Sequence, residues 1–534
     1  MVKESDRKRD PRRYSRDDLP MRTKGSSDRK RKTETGRGRA VQIPIPEIEI
    51  STTGTSTTTG VEVDEDNENL FISIGIDLGT TYSGVAWAVS TSPADINIIS
   101  TWESDLPANS DNHKVPSILT YDGRGIVTSW GYKLEPRRHH IEWFKLLLSN
   151  QATDKLTKYQ PDRLKKLQRL ISDLKKRPVD VVADYLRCLW QHASKETSKK
   201  AQGLWEFAEL KIVLTVPAIW ELAAQELTKE AAKMAGLLDK GNTSLELVGE
   251  PEAAALSVFD EMTSQRWRKL KIEDSFVVCD AGGGTVDLIS YTIDGLKPLK
   301  LAMSQEATGH LAGAIFVDAA FEAHVKTMMS ENDYAGIKTR ARRRMMNDWE
   351  FGIKRQFKVN APKDVKWNVD IQGFPGVESP GPSGSDFSLR SDPGTLVLNT
   401  DHLHAIFGKT CSKIKALIRD QISGIERQEG KKPQAILLVG GFGENMYLRE
   451  DLEQTFHDMQ ILQPMKAWAA ICRGAVMKGL GKEVVVNHIS RFNYGTAFVA
   501  NVEEQSSLDP DRDAEDTMQW FLKKACGPPC LVLG

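Results

Sequence analysis

Two runs of apolar and β-branched residues, each interrupted by a glycine turn, dominate the hydrophobic pattern of the chain. The first is FISIGIDLGTTYSGVAWAV, which begins at Phe71, and the second is FVVCDAGGGTVDLISYTI, which begins at Phe276. β-rich runs on both sides of a short glycine turn are typical of a β-hairpin. Because the same device occurs twice, we predict a two-lobed chain built from two related halves.

A helical pattern lies between the two hairpins. In PAIWELAAQELTKEAAKMAGLL, apolar residues at 220, 223, 227, 231, 234 and 238 follow the spacing of an amphipathic helix whose first turn contains Pro217. The apolar run LKIVLTV precedes it, and a second strand-turn-helix pattern appears as AILLVGGFGENMYLREDLEQTF. Strands that alternate with helices predict an α/β architecture.

Composition narrows the class of protein. The 534 residues are 40% hydrophobic and 27% charged, which is typical of a globular protein with several cores, and the net charge of -1 gives no general attraction to nucleic acid or membrane. No apolar run approaches the roughly 18 residues of a membrane span, and the N-terminus lacks a signal-peptide core. Most of the six cysteines lie within apolar strand or helix patterns, so we expect them to be buried, reduced thiols. We therefore expect a cytoplasmic or nuclear protein with no membrane partner.

The N-terminal segment differs from the rest. Residues 1–68 are rich in Arg, Lys, Ser, Thr and Gly, and the first forty contain fifteen Lys or Arg against seven Asp or Glu. Such a segment cannot bury enough apolar surface to offset its ordering entropy, so we predict a disordered tail. Its clusters at 7–9 and 29–32 are open to two interpretations, a nuclear address or nucleic-acid contact and a solvated basic tail, of which we favour the second.

The glycine turns carry the candidate chemistry. Backbone N–H groups in a tight turn without side chains are well suited to hold the anionic oxygens of ATP. In the first turn Gly79 permits close approach, Thr80 and Thr81 add donors, and Asp77 stands at the strand end where a hydrated Mg²⁺ can be anchored.

The second turn repeats this logic. Gly282, Gly283 and Gly284 form it, with Asp280 and Asp287 as an acidic pair. Either turn alone is interpreted equally well as a plain glycine-rich β-turn. Two such turns in one chain indicate a phosphate-binding site far more specifically. No G-x-x-x-x-G-K-[ST] motif occurs, which excludes a P-loop.

Five ordered motifs carry a family resemblance. GIDLGTTYS, VPAIWELAAQELTKEAAKMAGL, LVGEPEAAALSVF, DAGGGTVD and LVGGFGEN resemble, in order and approximate spacing, the ATPase domain of the heat shock 70 kDa family over residues 70 to 495. The resemblance implies an α/β, two-lobed actin-like ATPase fold of the duplicated ribonuclease H-like kind, with ATP or ADP in the cleft and Mg²⁺ at its base. It implies lobe I at 69–268, lobe II at 269–500 with a closing helix that returns to lobe I, and a short C-terminal tail at 501–534.

The resemblance also assigns roles by position. It implies catalytic roles for Lys145, Glu250, Asp280 and Thr285, and water-mediated metal binding by Asp77 and Asp280. Implied nucleotide contacts are Asp77, Gly79, Thr80, Thr81, Tyr82, Gly282, Gly283, Gly284, Thr285, Asp287, Gly309, Gly313, Glu350, Lys354, Gly440, Gly441 and Phe442.

Plain alternatives stay open for two of these assignments. Lys145 also reads as an exposed lysine on an amphipathic helix. Glu350 and Lys354 also read as a surface ion pair, and they are four residues apart where the family has three.

Several positions depart from the standard chaperones. Phe442, Gly443 and Glu444 replace small hydroxyl and basic residues in the adenosine turn, and Trp468 stands where an acidic ribose contact is expected. These changes resemble the divergent twelfth subfamily of heat shock ATPases. The residues after Gly495 are too few for a peptide-binding β-sandwich of about 100 residues, so we expect no standard client domain.

Three functions are compatible with these residues. The leading one is a weak ATPase whose nucleotide state controls lobe closure and the binding of a protein partner. The second is a nucleotide-stabilised scaffold that scarcely hydrolyses ATP. The third, which we rank last because no acidic sugar-binding signature is visible, is a small-molecule kinase of the same superfamily.

Overall fold

The computed structural model describes most of the chain from Leu70 onward. The described residues are 70–104, 112–134, 140–201, 203–264, 270–372, 374, 377–379, 389–391, 393–464, 466–482, 484–489, 494–497 and 518–522. The tail predicted at 1–68 lies outside these residues.

Strands and helices alternate along the described chain. The strands are β1 (Phe71–Asp77), β2 (Tyr82–Val89), β3 (Asn97–Ile98), β4 (Val115–Pro116), β5 (Ile118–Tyr121), β6 (Val127–Trp130), β7 (His140–Glu142), β8 (Glu209–Val216), β9 (Thr243–Gly249), β10 (Ser275–Ala281), β11 (Val286–Leu296), β12 (Leu299–His310), β13 (Trp367–Asp370), β14 (Val377–Ser379), β15 (Leu389–Ser391), β16 (Thr395–Leu398), β17 (Ala435–Val439), β18 (Gln460–Leu462), β19 (Val485–Asn487), β20 (Tyr494–Ala497) and β21 (Met518–Leu522).

The helices are α1 (Asn150–Tyr159), α2 (Pro161–Asp173), α3 (Pro178–Lys200), α4 (Leu204–Phe207), α5 (Leu222–Met234), α6 (Glu250–Ser264), α7 (Ala314–Thr327), α8 (Glu331–Gly336), α9 (Thr339–Asn347), α10 (Lys354–Gln356), α11 (Thr400–Glu429), α12 (Met446–Thr455) and α13 (Ala470–Gly479). A π-helical turn at Asp348–Ile353 joins α9 to α10.

Two six-stranded sheets form the centre of the described chain. Strands in the first follow the order β3-β2-β1-β8-β9, with β4 also on β2, and strands in the second follow β18-β17-β10-β11-β12-β19. Each contains an antiparallel hairpin next to two parallel strands, namely β2-β1-β8-β9 in one and β11-β10-β17-β18 in the other. The repeated order agrees with two related halves and with an actin-like ATPase fold.

The central strands are buried along almost their whole length. All residues of β10 and β17 are buried, as are all but the first of β1. Strands covered by helices on both faces need continuous apolar runs, and the sequence supplies them.

The helices α6 and α13 lie between the two sheets. They contribute Ala253, Phe259 and Ala475 to a core that also contains Val213 of the first sheet and Val278 of the second. Their backbones cross closely, because a Cβ atom added at Gly474 would lie 1.6 Å from the carbonyl oxygen of Ala253. Since α13 also packs on β1 and β8, the chain returns to the first sheet late in its course.

The helix predicted after Pro217 exists, but two of its predicted details are wrong. It begins at Leu222, so Pro217 is not in its first turn. Its buried residues are Ala224, Thr228, Ala231 and Ala232, whereas Ala223 and Met234 are exposed. Small side chains allow α5 to pack close to α3. They therefore form the buried face of the helix, in place of the larger apolar residues that the sequence pattern emphasised.

No described helix is long and apolar enough to cross a membrane. The described cysteines Cys188, Cys279, Cys411 and Cys472 are free thiols, and the last three are buried. Cys526 and Cys530 lie outside the described residues. The C-terminal segment predicted as a tail contains β21, which pairs antiparallel with β20.

Candidate functional site

The two glycine turns face each other. The first joins β1 to β2 and carries Thr80 and Thr81, and the second joins β10 to β11 and carries Gly283 and Gly284. A Cβ atom added at Gly283 would lie 2.0 Å from Thr81 Oγ1, and one added at Gly284 would lie 2.8 Å from Thr80 Oγ1. The turns therefore approach so closely that side chains larger than glycine do not fit on the second one.

A cavity of about 510 Å³ lies at this junction. Its volume is within the range of small-molecule sites. The predicted site residues that line it are Asp77, Gly79, Thr80, Thr81, Tyr82, Lys145, Glu250, Asp280, Gly282, Gly283, Gly284, Thr285, Glu350, Lys354, Gly440, Gly441 and Phe442.

Three predicted residues lie outside the cavity lining. Asp287 is fully buried opposite Asp280 in the β10–β11 pair. Gly309 pairs with Asp287 on the neighbouring strand β12. Gly313 precedes α7, and the backbone amides from Gly313 to Ile315 donate hydrogen bonds to the carbonyl oxygens of the second glycine turn at 3.0 to 3.2 Å. These residues support the turn rather than face the cavity.

A cluster of ionisable side chains stands beside the turns. We define the charge cluster as Asp77, Glu250, Asp280, Asp287, Lys114 and Lys145, all of which are buried. Burial, followed by the charges of Glu250 and Asp287, raises the pKa of Asp280 well above its usual range. Burial also raises the pKa of Asp287 to about 7. Because repulsion among carboxylates contributes to these shifts, the cluster favours an added cation.

Lys145 and Glu250 form a buried ion pair within the cluster. Lys145 lies in a 3-10 turn at Phe144–Leu148, with only 3% of the residue exposed, and its ammonium group donates a hydrogen bond to Oε1 of Glu250, the first residue of α6. The ammonium group also lies 5.3 Å from the centre of the Trp220 ring. The alternative of an exposed lysine on an amphipathic helix is therefore wrong.

Glu350 and Lys354 lie together at a π-helical turn. Glu350 is within the turn Asp348–Ile353, Lys354 follows it directly, and both residues line the cavity. Lys354 is 6% exposed, pairs with Glu350 and also donates to Asp318 Oδ1 at 2.9 Å. The alternative of a simple surface pair is wrong for Lys354, because its ammonium group is shared by two carboxylates inside the protein.

Aromatic side chains form one wall of the cavity. The rings of Tyr82 and Trp468 meet edge to face with their centres 5.4 Å apart, and Phe442, which is 2% exposed, also lines the cavity. A Cβ atom added at Gly441 would lie 3.2 Å from Trp468 Nε1. The backbone amide of Trp468 donates to Glu444 Oε1 at 2.8 Å, so two of the departures noted in the sequence contact each other.

Five charged lining residues were missed by sequence reasoning. They are Lys114, Glu142, Arg163, Asp318 and Arg355. Lys114 donates a hydrogen bond of 2.5 Å to Asp77 Oδ2, although nothing in the local pattern before β4 marks it. Arg355 directly follows Lys354, which the sequence analysis assigned to the nucleotide. This neighbouring position is the signal by which the sequence could have indicated Arg355.

Asp280 leaves a carboxylate oxygen of the cluster available to a cation. The Oδ1 atom of Asp280 is buried and has no hydrogen-bond partner among the described residues. Four carboxylates against two ammonium groups leave two surplus negative charges when all are ionised, which is the charge of one Mg²⁺. No group of three or more His, Cys, Asp or Glu in the described ranges is arranged to hold a metal directly, and a magnesium ion coordinated mainly by water and phosphate does not require one. The role of Asp77 as a second anchor stays a prediction.

Similarity searches relate the chain to known proteins. It is 24% identical to heat shock 70 kDa protein 12A of Mus musculus over 84% of this chain and 75% of that protein. It is 26% identical to heat shock 70 kDa protein 12B of Homo sapiens over 79% of this chain and 71% of that protein. A chaperone protein HscA homolog of Laribacter hongkongensis is 31% identical over 41% of this chain and 32% of that protein. No protein-family model matches the chain.

Proposed function

We propose that this chain, a divergent heat shock 70 kDa-like protein by its similarities, binds ATP or ADP in the cavity between the two glycine turns and hydrolyses ATP slowly. The observation that carries the proposal is the direct opposition of the turns, which brings Thr81 and Gly283 to the same point. Backbone amides from both sides then hold one polyphosphate. The π turn and the aromatic wall lie along the same cavity and are available to the nucleoside.

Hydrolysis requires an attacking water and neutralisation of phosphate charge. We assign the orientation of this water to Glu250, because Lys145 holds its carboxylate at the cavity. We assign the contact with a terminal phosphate to Lys145. A bound Mg²⁺ would supply further positive charge to the phosphate oxygens, held through water by Asp280.

Calorimetric titration of the full chain with ATP and ADP, with and without Mg²⁺, tests nucleotide binding. We expect binding by the unsubstituted protein and its loss in Gly283→Trp and Asp77→Ala. Gly241→Trp is a matched control, because a Cβ atom added at Gly241 has no atom within 4 Å. Unchanged ATP binding in both site variants removes the proposal.

Nucleotide that contacts both turns also couples the two sheets, because each turn belongs to a different sheet. A ligand that binds the closed arrangement more tightly shifts the population toward it, and a protein partner then meets a different surface. Small-angle scattering of the full chain is expected to give a smaller radius of gyration with ATP than without nucleotide. An equal radius in the two samples contradicts nucleotide-controlled closure.

A nucleotide-stabilised scaffold is the second candidate. It is favoured by the ion pair of Lys114 with Asp77, which engages a carboxylate that the sequence assigns to the metal. A single-turnover assay separates the two functions. The scaffold predicts ATP binding without magnesium-dependent phosphate release, whereas the ATPase predicts release that is lost in Glu250→Gln.

A further inference from the structure

Lys114 is a buried cation at the phosphate end of the cavity. It lies directly before β4, and the pairing of β4 with β2 brings it opposite Gly84. In the β1–β2 pair, Gly84 lies opposite Asp77. Its ammonium group is 2.5 Å from Asp77 Oδ2, and the residue is only 4% exposed. A Cβ atom at Gly84 would lie 3.0 Å from Lys114 Cγ, so the glycine leaves room for the lysine stem.

The cavity brings Lys114 together with the first turn. Lys114 lines it with Gly79 and Thr80, and the carboxylates Asp77 and Asp280 belong to the same lining. The ion pair with Asp77 therefore holds the lysine at the cavity in which the two turns meet.

We propose that Lys114 is a resident cation of the nucleotide site. Its ammonium group binds Asp77 in place of the hydrated metal ion that the sequence analysis assigned to this aspartate, and it neutralises phosphate charge itself. The inference rests on the proposed nucleotide binding and adds a specific cation requirement to it. A phosphate oxygen near the first turn gains a fixed ammonium partner, so binding depends only weakly on a divalent cation. Magnesium then acts through Asp280 alone.

A purely structural ion pair is a weaker explanation. A buried pair rarely stabilises a fold beyond what apolar residues of similar size provide, because both charges lose their hydration. The pair also lines the cavity rather than a sealed core, and Asp280 adds a second negative charge nearby. Both features are those of a site that receives an anion.

Calorimetric titration of the full chain with ATP in EDTA and in MgCl₂, at equal ionic strength, tests the inference. For the unsubstituted protein we expect dissociation constants within about tenfold of each other in the two buffers. Lys114→Met should weaken binding in EDTA at least about tenfold while magnesium restores most of it, because the freed Asp77 becomes available to the metal. Lys133→Met is the control, since Lys133 is exposed and pairs only at 3.8 Å with Glu103.

A double variant protects the test against misfolding. Asp77→Asn with Lys114→Met removes both buried charges, so no unpaired carboxylate remains to destabilise the sheet. It should bind ATP weakly in EDTA and, unlike the single variant, should gain little from magnesium. An equal ratio of the two dissociation constants in the unsubstituted and Lys114-substituted chains overturns the inference. Failure of the unsubstituted protein to bind ATP in either buffer refutes the proposed function itself.

Discussion

The ammonium group of Lys145 and the carboxylate of Glu250 form a buried ion pair in the cavity although 105 residues separate them in the chain. The lysine comes from a 3-10 turn and the glutamate from the first turn of α6. Each holds the other in one position, which is the preorganisation that positioning of a water and a phosphate requires.

Replacing Glu250 by Gln should separate binding from hydrolysis. The amide keeps the size of the side chain but cannot accept a proton or orient water as a carboxylate does. We expect the ATP dissociation constant to change by less than about threefold, and single-turnover phosphate release to fall by about 10²-fold or more. Glu226→Gln, which alters an exposed pair with Lys229, is the control. Equal release rates in the two variants would argue against a role of Glu250 in hydrolysis.

The contact between the turns predicts a steric test. Gly283→Ala places a methyl group against Thr81 Oγ1, where an added Cβ would lie 2.0 Å away, so Thr81 or one of the turns must shift. We expect ATP affinity to fall by about tenfold or more and the thermal unfolding midpoint to decrease. Gly123→Ala adds the same methyl group where no atom lies within 4 Å, and it should leave both quantities unchanged. Normal ATP binding by the first variant would mean that the polyphosphate does not need both turns.

The aromatic wall predicts a selective loss of nucleoside contacts. Trp468→Ala removes from the cavity the ring that meets Tyr82. We expect this ring to contact the nucleoside, and an aromatic contact contributes about 1 kcal/mol. ATP binding should therefore weaken by about five- to tenfold, while inorganic tripolyphosphate, which lacks base and ribose, should bind equally well. Trp205→Ala, whose ring packs on Trp190 away from the cavity lining, is the control. Equal losses for both ligands would place Trp468 at the phosphates or in the fold alone.

The shifted pKa of Asp287 predicts a pH dependence of stability. Burial and the charge of Glu250 raise this pKa from its ordinary value of 3.8 to about 7, so the folded state binds a proton that the unfolded state releases. The free energy of unfolding without nucleotide should therefore decrease as pH rises from about 4 to 7, by about 1 kcal/mol per unit for this group.

Asp287→Asn should reduce that slope, because the amide does not titrate. Urea unfolding at pH 5, 6 and 7 measures it, and Asp420→Asn, at an exposed position of α11, is the control. The slope rather than the absolute stability is decisive, since a buried amide without good partners costs about 1 to 3 kcal/mol at every pH. Parallel pH profiles for the substituted and unsubstituted chains would contradict the shifted pKa.

The hairpins were predictable because their signal is local. Apolar runs on both sides of Gly79 and of Gly283 specify strands and turns within a few residues, and the register places Asp77 and Asp280 at the strand ends where the turns begin. The repeat of one hairpin also indicated the repeated sheet order. Local periodicity was less reliable for α5, where close packing against α3 selected the face with Ala224 and Thr228.

Residues that join the site through pairing of distant strands were not predictable. Lys114 meets Asp77 only because β4 pairs with β2 and β2 with β1, and no spacing in the sequence expresses that chain of contacts. Asp318 likewise comes from α7 to share Lys354 with Glu350. The sequence shows that Glu350 and Lys354 are four residues apart, but only the backbone shows that Glu350 lies in a π turn.

The crossing of α6 and α13 at Gly474 limits how the two halves of the molecule can move. The backbone of Ala253 lies so close to Gly474 that this position has no space for a side chain. Rotation of the helices about the crossing keeps that contact intact, whereas sliding of one helix along the other breaks it. We therefore expect any movement of the two halves on ligand binding to be a rotation centred on this crossing.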